Sequence, residues 1–243
     1  MTGPRQDYEL WHRSVADREA GLPAGSAPPW HELVRAHLGE SRGAQVLEMA
    51  CGRGQFAAEL ERMGLRVFAA DFSMAALRQA RSLGASRTLV SDAQQLPFPD
   101  ATFDAVVSCE TIEHLPDWRA GLAELARVLR PGGRLYLTFP SYLNAYGLYR
   151  AYLRLRGRPF NSGDAVQPVE QLLFCGAVRR QLRALGLKVL AWDALGHYLL
   201  FPRVNPVRTR QLWIERRPFL RRLLRALALH QMIVAGKRPP AGD

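Results

Sequence analysis

The residues best placed to do chemistry sit where an apolar run breaks into small residues, in VLEMACGRGQFAAEL, residues 46–60. Ala50, Gly52 and Gly54 follow the run closely. Side chains this small let a backbone approach a ligand, and a helix starting just after them offers free N–H groups. Asp71 closes the next apolar run, 19 residues beyond Gly52. An acid at that spacing suits the hydroxyls of a ribose. Gly52, Gly54 and Ala57 also satisfy G-x-G-x-x-G/A. This segment alone fits a dinucleotide site, a methyl-donor site, or a tight strand-to-helix turn that binds nothing.

Further motifs separate these readings. A third strand ends in Ser91-Asp92-Ala93, with Gln95-Leu96-Pro97-Phe98 after it. Phe103-Asp104 opens a fourth strand that ends at Glu110, and Pro131-Gly132-Gly133 opens a fifth. In this order the motifs resemble class I S-adenosylmethionine-dependent methyltransferases, in particular the small-molecule branch with the ubiquinone and menaquinone methyltransferases. The resemblance covers residues 44–140 closely, and 169–194 and the last strand more loosely. It implies a Rossmann-like, doubly wound, mostly parallel α/β sheet of seven strands, the last antiparallel. It implies S-adenosylmethionine as cofactor, with Glu48, Ala50, Gly52 and Gly54 lining its methionine part. Asp71 would bond the ribose hydroxyls and Phe72 would pack on the adenine. Asp92 would accept from the adenine amino group beside the Ala93 backbone, and Glu110 would lie beneath the sulfonium. Ala50 stands where the family more often has glycine. Simple alternatives exist for two of these: Asp92 can cap the next turn, and Phe72 can belong to the core.

A sulfonium already activates its methyl group, so the protein must align a nucleophile and exclude water. A base is needed only when the nucleophile carries a proton that must leave. Glu113 and His114, just past the fourth strand, are the candidates, and His114 is the expected base. The competing reading has them organise a loop.

These residues need a scaffold, and the patterning supplies one. AQVLEMA, LRVFAAD, SRTLVSD, TFDAVVSCE, GGRLYLTFP, LKVLAWDAL and LHQMIVAGKRP read as strands. GQFAAELERM, MAALRQARSL, DWRAGLAELARVL and residues 169–186 read as helices between them. Such alternation implies a parallel sheet covered on both faces. The expected organisation is one domain: an N-terminal helical flap over 1–40, a cofactor-binding core over 44–140, lid insertions at 141–168 and 197–228, and the rest of the core at 169–196 and 229–238. Long excursions from an α/β core usually carry function. Tyr8, Trp11 and His12 could cover the site. Tyr142, Tyr146, Tyr149 and Tyr152, with His197 and Tyr198, could line an apolar pocket. Packing explains each of them equally well.

Composition narrows the partners. A 48% apolar chain of 243 residues can bury a core. Three cysteines without a CxxC pair argue against a disulfide scaffold or a zinc site, and no metal-ligand motif occurs. No signal-peptide pattern and no apolar run near the roughly 18 residues of a membrane span is present, so a cytoplasmic protein is expected. The net charge of +11 is uneven: ten Lys or Arg and one acid, Glu215, fall between Arg203 and Arg238. All but two of the 33 basic residues are arginine. Within the basic stretch, Phe219, Leu220, Leu223, Leu224 and Leu227 follow helical steps, with Arg217, Arg221, Arg222 and Arg225 on the remaining surface. Residues 215–229 are thus expected to form a helix that packs on the sheet or lies on an anionic membrane at the inner surface. Ser108-Cys109-Glu110-Thr111 replaces the Pro-Pro-aromatic and Pro-Cys motifs of DNA methylation, so no specific nucleic acid is expected. A small-molecule or lipid-linked acceptor remains: a quinone, an isoprenoid, a glycolipid precursor or a natural product. Two rivals are a nicotinamide-dependent oxidoreductase and a non-catalytic membrane- or partner-binding module on the same fold.

Overall fold

A computed structural model describes residues 9–10, 28–38, 42–158, 168–197 and 217–239. Its sheet follows the alternation of the sequence. The strands are β1 (Gln45–Met49), β2 (Arg66–Asp71), β3 (Thr88–Val90), β4 (Phe103–Cys109), β5 (Leu129–Pro140), β6 (Leu187–Leu195) and β7 (His230–Lys237). They lie in the order β3-β2-β1-β4-β5-β7-β6. Pairing is parallel from β3 to β5, and β7 runs antiparallel to both β5 and β6. The helices are α1 (Pro29–Leu38), α2 (Gln55–Arg62), α3 (Met74–Ser82), α4 (Trp118–Val128), α5 (Ala145–Leu155), α6 (Cys175–Ala184) and α7 (Pro218–Leu223). The expected doubly wound, seven-stranded fold class is therefore present.

Two cores flank the sheet. On one face Leu33 and Val34 of α1, Phe56 and Leu60 of α2 and Leu77 of α3 pack with Val46, Val67, Val107 and Tyr136. On the other, Leu122 and Leu125 of α4 and Val178 and Leu182 of α6 pack with Leu47, Val106, Leu135 and Ile233. Successive strand side chains point to opposite faces, so near-continuous apolar strands feed both cores.

Local chemistry sets the helix starts. Ser73 caps α3 through Ala76 N, and Asp117 caps α4 through the amides of Arg119 and Ala120. Pro131-Gly132-Gly133 lets β5 enter the sheet, with a register shift between Phe103↔Leu129 and Ala105↔Arg134. A Cβ on Gly133 would lie 2.8 Å from Asp104 O, so glycine is required there.

The first insertion contains α5, capped by Asn144 on Gly147 N. Two expectations need correcting. The helix read over 169–186 spans only Cys175–Ala184. The helix expected over 215–229 is also short. It starts at Pro218, ends at Leu223, and a single 3-10 turn follows at Arg225–Leu227. Residues on β6 draw two of its arginines inward: Arg221 reaches Asp193 at 3.0 Å, and the Arg225 guanidinium lies 4.1 Å from the Trp192 ring. Phe219, Leu223 and Leu227 are consequently exposed.

Candidate active site

The C-terminal ends of β1, β2, β3 and β4 share one edge of the sheet. Between β1 and β4 the strand order reverses, which opens a crevice in sheets of this kind. Ala50, Gly52 and Gly54 follow β1 with φ of 59°, 52° and 71°. These left-handed values bend the chain sharply into α2. A Cβ on Gly54 would lie 2.4 Å from Ala80 Cβ, so that glycine also sets the packing of α2 against α3.

Asp71 is buried at the end of β2. Its Oδ2 accepts from Gly52 N at 2.8 Å and its Oδ1 from Ser73 N at 2.9 Å. The carboxylate thus ties the β1 turn to the start of α3. Half-buried Phe72 is next to it, and Glu9 of the N-terminal segment reaches the same place, accepting from Ser73 Oγ at 2.7 Å. Glu48 is buried beneath the turn, and its Oε2 has no hydrogen-bond partner among the described residues. Burial, and secondly the charge of Asp71, push its carboxyl up to about 8. Asp92 Oδ1 accepts from Gln94 N at 2.8 Å, the turn-capping contact, and Ala93 is buried behind it. Arg127 holds this loop by donating to the carbonyls of Leu96 and Phe98.

The edge continues past β4 with different materials. Glu110 adopts φ of 47°, and its amide donates to Thr138 O and Oγ1 at 3.0 and 3.1 Å. Glu113 is buried, and its carboxyl is pushed well above the usual range by burial, then by the charges of Glu110 and Glu170. His114 Nδ1 lies 2.8 Å from Val169 O, so that nitrogen carries a proton and donates. Its Nε2 lies 3.6 Å from Glu113 Oε1. Gln171 adds bonds to Glu113 O and Pro116 O. Both ring nitrogens of His114 thus face groups of this chain, and the ring joins the turn after β4 to the segment before α6. Burial pulls its pKa down.

Sequence reasoning missed two clusters here. Glu110 Oε2 meets His230 Nδ1 at 3.1 Å, and Tyr142 donates to Glu170 Oε1 at 2.6 Å, with Arg150 at 3.5 Å from the same oxygen. Glu110 and His230 are 120 residues apart, so no local pattern could have joined them. Tyr142 and Tyr146 are buried, whereas Tyr149 and Tyr152 stack on each other and Tyr152 is exposed. His197 is buried with Nε2 3.2 Å from Leu224 O. Tyr8, Trp11, His12 and Tyr198 lie outside the described residues.

Residues 47–137 match the protein family described as a methyltransferase domain. The chain is 38% identical over 186 residues to a demethylmenaquinone methyltransferase of Corynebacterium urealyticum, covering 72% of this chain and 80% of that one. The chain belongs to the class I S-adenosylmethionine-dependent methyltransferases. A demethylmenaquinone methyltransferase of Mycobacterium sp. (strain KMS) is 38% identical over 201 residues, 77% of this methyltransferase and 87% of the relative. With the relative in Corynebacterium glutamicum (strain R) the match narrows to 114 residues, about half (49%) of that protein. The fold is similar to that of an S-adenosylmethionine-dependent methyltransferase from Mesorhizobium loti, with a TM-score of 0.59 at 18% identity, covering 84% of this chain and 95% of that one.

S-adenosylmethionine is the methyl donor of this enzyme, and the residues present fit it. The unpartnered, buried Glu48 Oε2 suits a cationic ammonium, and the small residues of the β1 turn leave the backbone open to a ligand. A Cβ on Gly52 would meet nothing within 4 Å. Among the described residues no helix is long and apolar enough to cross a membrane.

Proposed function

We propose that this methyltransferase methylates a lipophilic, quinol-like ring acceptor taken from a membrane surface. The observation that carries this reading is the 38% identity over most of the chain to relatives named demethylmenaquinone methyltransferase. Bound S-adenosylmethionine supplies a methyl group already activated by its sulfonium. In our reading Glu48, Ala50, Gly52 and Gly54 hold its methionine part, and Asp71 faces the ribose. Phe72 packs on the adenine, Asp92 and the Ala93 backbone take its amino edge, and Glu110 lies beneath the sulfonium. Glu9 at the start of α3 supports a covering role for residues 1–40.

The two insertions leave the sheet at one corner, which supports their role as lids. Ser141 N donates to Leu229 O at 2.7 Å, and Leu229 N to Gly196 O at 3.0 Å. From this corner run α5, with Leu148 and Leu155 exposed by 77% and 87%, and α7, with Phe219 exposed by 75%. Arg217 and Arg222 are exposed close in sequence to Phe219 and Leu223, so this short segment turns both apolar and cationic side chains outward. This arrangement suits peripheral contact with an anionic lipid surface through residues 215–229.

The test supplies the purified enzyme with S-adenosylmethionine and a prenylated naphthoquinol lacking the ring methyl, in anionic mixed micelles. Mass spectrometry should detect replacement of one ring hydrogen by methyl. S-adenosylmethionine binding without methylation of the quinol would overturn this choice of acceptor.

A further inference from the structure

A quinol or any other hydroxyl-bearing acceptor becomes a good nucleophile only when its proton leaves. His114 is tied to Val169 O through Nδ1 and its Nε2 faces the buried Glu113, so we looked along the same edge for a proton acceptor turned elsewhere. Glu110 holds a backbone conformation that residues with a side chain rarely adopt, fixed by its two bonds to Thr138. Strain of this kind persists only where the surroundings impose it, and it clusters at functional sites. The conformation presents one carboxylate oxygen to His230 Nδ1 at 3.1 Å, while Oε1 is buried with no partner. Trp30 of α1 covers one face of the imidazole, with ring centroids 5.1 Å apart. His230 Nε2 makes no hydrogen bond among the described residues, and the side chain is 17% exposed.

The two residues meet at the cofactor end of the sheet. Met49 pairs with Ser108, so the glycine turn after β1 lies beside the chain that reaches Glu110. Pro140 pairs with His230, so the imidazole starts β7 at the end of β5. A carboxylate facing Nδ1 favours the tautomer with a proton there, which leaves the lone pair on Nε2. The same carboxylate stabilises the imidazolium formed when Nε2 takes a proton.

We propose that His230, oriented by Glu110, is the base that removes the acceptor's hydroxyl proton during methyl transfer. It rests on the proposed acceptor class only in needing a nucleophile with an ionisable hydroxyl. The O–H bond breaks and its proton goes to Nε2. The electron pair left on the acceptor forms the bond to the methyl carbon, and the methyl–sulfur bond breaks with its pair going to sulfur. If a ring carbon is methylated, its hydrogen then leaves as a proton to solvent and the oxygen is reprotonated. Glu110, just past β4, faces the imidazole, Trp30 of α1 lies on its ring, and the charge of Glu110 in turn acts on the buried Glu113. Glu110 is a positioning residue.

Two measurements test this. Nitrogen NMR of histidine-labelled enzyme with S-adenosylhomocysteine should show His230 protonated on Nδ1 and unprotonated on Nε2, with the preference weakened in Glu110→Gln. Kinetics of His230→Gln with the naphthoquinol should show a loss in kcat of about 100- to 10,000-fold, the usual contribution of a general base. That variant should also lose the acidic limb of the kcat profile, while calorimetry shows unchanged S-adenosylhomocysteine affinity. A residue that only fastens β4 to β7 would instead lower thermal stability or raise KM and keep the acidic limb, and that result overturns the proposal. If the wild type methylates no quinol, the acceptor reading fails. The tautomer then decides the present inference, and a proton on Nε2 in the wild type defeats it.

Discussion

The two halves of the active edge are built differently. From β1 to β3 the work is done by backbone turns and by acids close in sequence to the strand ends: Glu48, Asp71 and Asp92 each sit at or just past their own strand. From β4 to β7 the work is done by side chains that meet across long separations. His230 reaches Glu110, Tyr142 reaches Glu170, and Trp30 covers His230. The first half presents a surface to a ligand whose shape does not vary. The second can be rebuilt by changing a few remote residues, which suits an acceptor site that differs among enzymes on one fold.

Substitutions can break this contrast. The largest effect is expected at Gly54, where a side chain meets the Ala80 backbone 2.7 Å away at positive φ. Gly54→Val should destabilise by about 2–4 kcal/mol through overpacking and left-handed strain, visible in thermal unfolding. Asp71→Ala should weaken S-adenosylmethionine binding by roughly 1–3 kcal/mol in calorimetry, the usual cost of losing a charged hydrogen-bond partner. Unchanged affinity would reduce Asp71 to a brace between Gly52 and Ser73.

Glu48 makes a pH test. Its carboxyl is raised from 4.5 to about 8, so the folded enzyme keeps a proton that the unfolded chain releases. Its contribution to stability is fully present below 4.5 and is lost as pH rises toward 8. The slope from this group is at most about 1.4 kcal/mol per pH unit. Chemical unfolding of Glu48→Gln across that window should show a flatter dependence than the parent.

A smaller effect is expected at the outward apolar face. Phe219→Ser with Leu223→Ser should lower affinity for anionic vesicles about tenfold or more, some 1.4 kcal/mol, with unfolding unchanged. Arg221→Glu should act differently, because its partner Asp193 is on β6: part of its effect should appear as lost stability. Equal sedimentation of parent and double variant would remove the membrane reading. The smallest effect belongs to His114. His114→Gln keeps a donor for Val169 O and should change kcat less than about threefold, under ~0.7 kcal/mol on the barrier. A hundredfold loss would restore it as the base.

The sequence by itself determined the order of the seven strands, the glycine turn after β1 and the acids at the strand ends. Each of these is local: apolar period, turn-forming residues and caps act over a few neighbours. It also marked residues 215–229 as apolar steps interleaved with arginines. Only the tertiary structure decided which of those faces turns outward, because Trp192 and Asp193 of β6, more than twenty residues away, bind Arg225 and Arg221. Only tertiary pairing could bring His230 to Glu110, since the register of β7 on β5 sets which residue arrives at the end of the sheet. A strand's pattern shows that it alternates, and its neighbour's register decides what it meets.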